Sequence, residues 1–413
     1  MKGLVNKFKE RNIFSFIVTW VLFAIVLWWR HHSGKVEIIN TTSLAFTYEY
    51  GFISRGFMGT IFSFVDWILP GNLMNYDGVM GFTFVATMLY FALLLGFFLI
   101  CLTKCNISMV EKTKFLTLFF TLYAVSMFVT KYNYGRFDMY CLMLSIISAM
   151  LIIYEKAEWL VIPLSAFSIM IHQGNVFYLL NIILILLLYK AFSTEGVKRR
   201  KYVILLGVSF IVSSALFLYF EFFSRSNGHL YYEEIIKVAK SLGFEGKIHQ
   251  DIIDHEILGI DLADRETIYR YKNFVEFPFF CLFNTPYIYI AIVFFKNLIK
   301  NAESTLDKWK YFFVAVGSAT IIPALIMKCD FGRWMFMIIA YYFVVILSLI
   351  AMKDTLVEKE VKNIADRIKK LGVGAWVLLS YPVLMVPFKD VLISQLSYNV
   401  ADKLNELFLH LWQ

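Results

Sequence analysis

Four short polar constellations interrupt an otherwise apolar chain, each setting a charged or ionisable group beside glycine and aromatic residues. The stretch 48–59 holds Glu49 and Arg55 with Gly51, Gly56 and Gly59. Glycine lets backbone approach a ligand closely, and arginine offers a planar fork of donors suited to phosphate or carboxylate. Glu49 reads either as a base or as a partner for Arg55. The stretch 131–138 brings Tyr134, Arg136 and Asp138 into one tight loop with Asn133. Rings stack on sugar faces while polar groups fix hydroxyls, so such a loop suits a glycan; an interfacial aromatic belt is the plainer account. His172, Gln173 and Asn175 flank Gly174 between two apolar runs. An ionisable group placed there is costly and marks a functional candidate, and histidine passes protons near neutral pH. No second His or Cys stands at ligand spacing, so no metal is expected. The stretch 328–334 echoes the second constellation, with Asp330 and Arg333 beside Gly332 and two aromatic rings. Together Arg136 and Arg333 would bring two guanidinium groups to a diphosphate through charge-assisted bonds. Alternatively, Arg136–Asp138 and Asp330–Arg333 pairs lock helix ends.

The elements that must hold these groups are membrane helices. Of the 413 residues, 59% are hydrophobic and 17% charged, against about 25% charged in soluble domains. Spanning helices need about 20 apolar residues. Candidates run over 13–29, 79–102, 115–130, 139–154, 159–171, 175–189, 202–222, 277–295, 311–327, 334–352 and 373–388. The expected fold is a single all-α polytopic membrane domain over 1–413 with about 11 spans. The fifth and sixth form a tight hairpin broken near His172. Residues 59–69 are too short to span and read as a re-entrant or surface helix in a first outer loop, 30–78.

With the N-terminus placed in the cytoplasm, the inner segments hold 23 of the 39 Lys and Arg residues. Seven of the outer cations lie in the long loop 223–276, and long loops translocate with little regard to charge. The positive balance, net +8, therefore orients the chain and points to no nucleic-acid partner. All four constellations then fall on the extracytoplasmic side. In the long loop, 231–242 reads as a helix whose apolar stripe is Ile235, Ile236, Val238, Ala239 and Leu242, and 251–260 as a second; 391–411 is amphipathic and suits the interface. The five cysteines, Cys101, Cys105, Cys141, Cys281 and Cys329, show neither metal spacing nor an even framework. No P-loop or dinucleotide fingerprint is present, and charges deep in the spans are nearly absent, which argues against an ion-coupled carrier.

The helix count, the large late outer loop, the outward Arg, His and acidic residues, and the Ile171-His172-Gln173-Gly174 opening of a long apolar helix resemble bacterial surface-polysaccharide polymerases, the Wzy-type O-antigen and capsule enzymes and EpsG-like proteins. That resemblance implies transfer, at the outer face of the inner membrane, of one undecaprenyl-diphosphate-linked glycan onto another. It implies no cofactor, and a polysaccharide chain-length regulator as a partner. Arg55, Arg136 and Arg333 would hold the diphosphate, with Tyr134, Gln173 and Asn175 on the glycan. His172 or Glu49 would act as the base, and Asp138 and Asp330 join them as candidate catalytic groups. The first outer loop also resembles that of GT-C membrane glycosyltransferases, with Glu49 as the acid, although the adjacent acidic pair common there is missing. A flippase or exporter of lipid-linked sugars is the non-enzymatic alternative.

Overall fold

A computed structural model of the chain describes residues 35–69, 71–104, 134–224, 228–259, 288–323 and 331–369, together with Ile25, Trp28 and Thr285. Every regular element among the described residues is helical. The expected spans at 115–130 and 373–388, nearly all of 13–29, the first part of 277–295, the C-terminal amphipathic stretch and Asp330 lie outside them.

The elements are α1 (Ile38–Ser43), α2 (Gly56–Ile68), α3 (Tyr76–Lys104), α4 (Asp138–Tyr154), α5 (Val161–Ile171), α6 (Leu180–Ser193), α7 (Gly196–Phe222), α8 (Tyr232–Leu242) and α9 (Gln250–Ile253). Then come α10 (288–301), α11 (Thr305–Val316), α12 (Phe331–Ala351) and α13 (Thr355–Lys369). Among the described residues three stretches, Tyr76–Cys101, Gln173–Ser193 and Gly196–Phe222, are long and apolar enough to cross a membrane; Asp138–Tyr154, Glu158–Ile171 and Phe336–Ala351 are shorter apolar helices. These features mark a membrane protein, since helices satisfy every backbone group internally where water is absent.

Packing between the helices follows membrane rules. α4, α6 and α12 sit at the centre, with α3, α5 and α7 against them. Ser145, Ser165, Ser168, Ser209 and Ser213 are buried on α4, α5 and α7, and small residues let helices approach closely in lipid. Ser145 Oγ also donates to the Leu179 carbonyl at 3.1 Å, tying α4 to α6. On the far side of α7, Val203, Ile204, Phe210, Ile211 and Leu218 are exposed, as a lipid-facing surface would be.

Ion pairs define the two ends of this bundle. At one end Lys190, at the close of α6, pairs with Glu155 at 2.6 Å, and Lys198 reaches the same carboxylate. Lys190, the stronger partner, holds the Glu155 carboxyl below its ordinary range. Lys201 pairs with Glu158 at 2.6 Å. Asp354 accepts hydrogen bonds from the Tyr189 and Tyr311 hydroxyls, at 2.5 and 2.7 Å, and from the backbone N–H groups of Leu356 and Val357 at the start of α13. The opposite ends of α4, α5, α6, α7 and α12 carry Asp138, His172, Gln173, Glu221 and Arg333.

The segment read as a re-entrant or surface helix is α2. Gly59 lets it lie on the preceding loop: a Cβ there would stand 2.1 Å from the Phe46 carbonyl oxygen and 2.5 Å from that of Leu44. Phe57 stacks on Phe167 of α5 with ring centroids 5.0 Å apart, while Phe64 and Trp67 are exposed. In the long loop, α8 buries Ile235, Ala239 and Leu242 of the expected stripe. It packs, as α9 does, on α1. A π-helical turn, Asp254–Leu258, follows α9.

Candidate functional site

The hairpin between α5 and α6 breaks at His172, whose backbone is extended at φ −153° and ψ 108°. A 3-10 turn, Gln173–Phe177, then leads into α6. Asn175 holds this break together. Its Nδ2 donates to the Ser168 hydroxyl on α5, and its Oδ1 accepts the Leu179 N–H at 3.1 Å. Asn175 is fully buried, and both ends of its amide serve the hairpin. Tyr134 is likewise fully buried, with its carbonyl accepting from Asn40 Nδ2 at 3.0 Å. Gly135, at φ +85°, makes the turn that presents Arg136.

The alternative pairing of Asp138 with Arg136 is not the one that Asp138 makes. Residues two apart do not share a helix face, and Asp138 turns inward, 1% exposed. There its Oδ2 meets Arg333 Nη1 of α12 at 3.6 Å, and its Oδ1 accepts from the Tyr178 hydroxyl of α6 at 3.1 Å. Asp138 is thus an ion-pair partner of the Arg333 guanidinium, whose Cζ lies 4.4 Å from the Trp334 ring centroid. Arg55, in the left-handed conformation that opens α2 (φ 60°), pairs with Glu256 of the π-helical turn at 3.1 Å. Glu49 is not its partner. Glu49 is exposed and makes no hydrogen bond or ion pair among the described residues.

These arginines converge electrostatically on one group. The His172 imidazole, in the turn outside both flanking helices, is held well below its ordinary range by burial first, then by the positive charges of Arg55, Arg333 and Arg136. The ring is therefore neutral at physiological pH. Its Nδ1 accepts the Gly174 N–H at 3.1 Å, so the hydrogen of the neutral ring sits on Nε2, the remaining nitrogen. The one basic lone pair is engaged. In this geometry the imidazole presents a donor, Nε2–H, while Gly174 takes the lone pair that the expected base would use. The unfolded chain takes up that proton near pH 6.5, so native stability falls as pH drops below about 6.5 and is fully present above it.

Gln173 faces a different set. Its Oε1 accepts from the Ser54 hydroxyl, and its Nε2 donates to Glu221 Oε2 at 3.4 Å. Glu221 lies in the last turn of α7, among Tyr219, Phe220, Phe222 and Phe223. Neither Glu221 nor Glu256 was among the expected site residues. A lone acid inside an apolar run was a readable signal for Glu221. Glu256 carried no such mark in a loop of mixed charge. Among the described residues, no group of three His, Cys, Asp or Glu side chains is placed to hold a metal.

No family model matches this chain, and neither curated proteins nor solved structures give a match. Function therefore rests on the site alone.

His172 gives a direct test of its role. His172→Gln, which keeps a donor there, should hold any activity at this site within about tenfold of wild type, while His172→Ala should lose about 10²–10³-fold, the usual cost of one charge-stabilising donor. Equal loss in both variants would indicate a base instead.

Proposed function

We propose that the chain is a multi-pass membrane glycosyltransferase with about 11 spans and a cytoplasmic N-terminus. It polymerises undecaprenyl-diphosphate-linked repeat units of a bacterial surface polysaccharide at the outer face of the inner membrane. The observation that carries this reading is that the positive charges of Arg55, Arg333 and Arg136 all bear on the half-buried His172 ring. Three cations and a neutral N–H donor suit an anion with several oxygens. A diphosphate gains negative charge as its sugar departs, and fixed donors aimed at developing charge are commonly the largest catalytic contribution. Gln173, Glu221 and the nearby aromatic rings supply groups of the kind that bind sugars. The GT-C alternative draws less support, because Glu49 is exposed and joins none of these contacts.

Arg136→Ala, expressed at wild-type level in the source cell, tests the reading. Polymerisation should fall about 10²–10³-fold. Single lipid-linked repeat units should accumulate at the outer face, open to periodate added outside. Accumulation on the cytosolic side, shielded from that reagent, would favour a flippase. A normal polymer-length distribution would overturn both.

A further inference from the structure

We propose that α2 is the tail subsite for a prenyl diphosphate: the head group meets Arg55, and the hydrocarbon chain runs along Phe57, Ile61, Phe64 and Ile68. This assignment rests on the lipid-diphosphate reading above.

The four apolar residues follow one another at intervals of three and four, so they share one face of the helix. None of them is buried, and Phe64 and Ile68 are each 55% exposed. The opposite face holds α2 on the protein. Met58 and Phe62 are buried there, Gly59 lies against the Phe46 and Leu44 carbonyls, and Phe62 meets Phe82 of α3 edge-on at 5.1 Å. Thr60 and Asp66 turn to backbone, accepting the Tyr48 and Leu73 N–H groups at 2.8 and 2.6 Å. An uncovered apolar face of this kind marks a membrane or ligand surface.

Two features select a lipid with an anionic head over bulk acyl chains. The first is charge. The stripe begins two residues after Arg55, whose charge bears with those of Arg333 and Arg136 on His172. Arg55 meets Glu256 through Nε at 3.1 Å; a guanidinium has several N–H donors, so one carboxylate does not exhaust it. The second is the fall in cover along the stripe. Phe57 and Ile61 are partly buried, with Phe57 stacked on Phe167 of α5 at 5.0 Å, whereas Phe64 and Ile68 are open. A chain leaving the head group is sheltered first and released into the bilayer about 17 Å further along the helix. Trp67, beside Ile68 and 79% exposed, suits the membrane–water boundary at that point.

The test titrates the full-length chain in nanodiscs with inorganic pyrophosphate and with farnesyl diphosphate, each against empty nanodiscs. The wild type should bind farnesyl diphosphate about tenfold or more tighter than pyrophosphate, a gain that partial burial of a prenyl chain supplies. Phe64→Ser/Ile68→Ser should abolish that preference. Val203→Ser/Ile211→Ser, on the lipid-facing side of α7, should keep it. A second measurement does not depend on the double variant folding: alkylation of Phe64→Cys, above the background of the five native cysteines, should be slowed by farnesyl diphosphate and not by pyrophosphate. A preference that survives Phe64→Ser/Ile68→Ser, or that falls equally in the α7 variant, overturns the proposal and leaves α2 resting on bulk lipid. No preference in the wild type, or alkylation that ignores the prenyl ligand, overturns it as well. Absence of pyrophosphate binding to the wild-type protein overturns the diphosphate reading instead, while protection of Phe64→Cys by farnesyl diphosphate still decides whether a prenyl chain lies on α2.

Discussion

Replacing Arg333 with alanine is expected to remove both activity and much of the stability of the protein. Its guanidinium partners a carboxylate that is 1% exposed. Removing one member of a buried pair strands the other and costs about 3–5 kcal/mol. Among the described residues, Tyr178 would then be left to support Asp138. The double variant Arg333→Ala/Asp138→Asn relieves that stranded charge, so thermal unfolding in detergent should return most of the way to wild type. Polymer formation should not return, because the cation for the diphosphate is still missing. Were the pair only a lock between α4 and α12, transfer would recover together with stability.

Arg55 carries the second large effect, through Glu256. The pair joins the opening of α2 to the π-helical turn of the long loop, with side chains 19% and 5% exposed. Arg55→Ala should strand Glu256, speed amide exchange across 228–259, and weaken pyrophosphate binding by about tenfold or more, since charge-assisted bonds are the strong ones. Glu256→Gln should act in the opposite sense at the site. It removes the carboxylate that competes for the Arg55 guanidinium, so pyrophosphate should bind more tightly even as exchange in the loop rises. Weaker binding in both variants would mean that the pair only shapes the loop.

Local patterns in this chain are readable; partners across the chain are not. The stripe of α8 follows the 3.6-residue period, and burial of Ile235, Ala239 and Leu242 agrees with it. The hairpin break at His172 was visible as polar residues between two apolar runs too short to stand alone. The start of α7 at Gly196 was missed because its first turn is Lys- and Arg-rich, and an apolar window discards such residues. Within the expected span 311–327, the described residues run from α11 into a 3-10 turn, Gly317–Ile321. The cause lies on another helix: the Tyr341 and Tyr342 hydroxyls donate to the Val314 and Ala315 carbonyls at 2.7 Å each. A Cβ at position 317 would stand 2.2 Å from the Tyr341 hydroxyl. No period within residues 311–327 records that intrusion. In the same way, the acid near Arg55 in sequence was a poor guide to its partner, Glu256, and nothing near Arg333 in sequence pointed to Asp138. Side-chain direction at a helix end decides such pairs, and spacing alone does not carry it.

Everything proposed for catalysis depends on guanidinium groups from α2, the loop before α4, and α12 gripping one polyanion. Calorimetric titration of the nanodisc-embedded protein with inorganic pyrophosphate asks this without any glycan. Saturable binding is expected, weakened by about tenfold or more in each of Arg55→Ala, Arg136→Ala and Arg333→Ala/Asp138→Asn, and falling steeply as salt is raised. Heat changes no larger than dilution, or one affinity shared by the wild type and all of these variants, would show that the arginines do not form a common anion site.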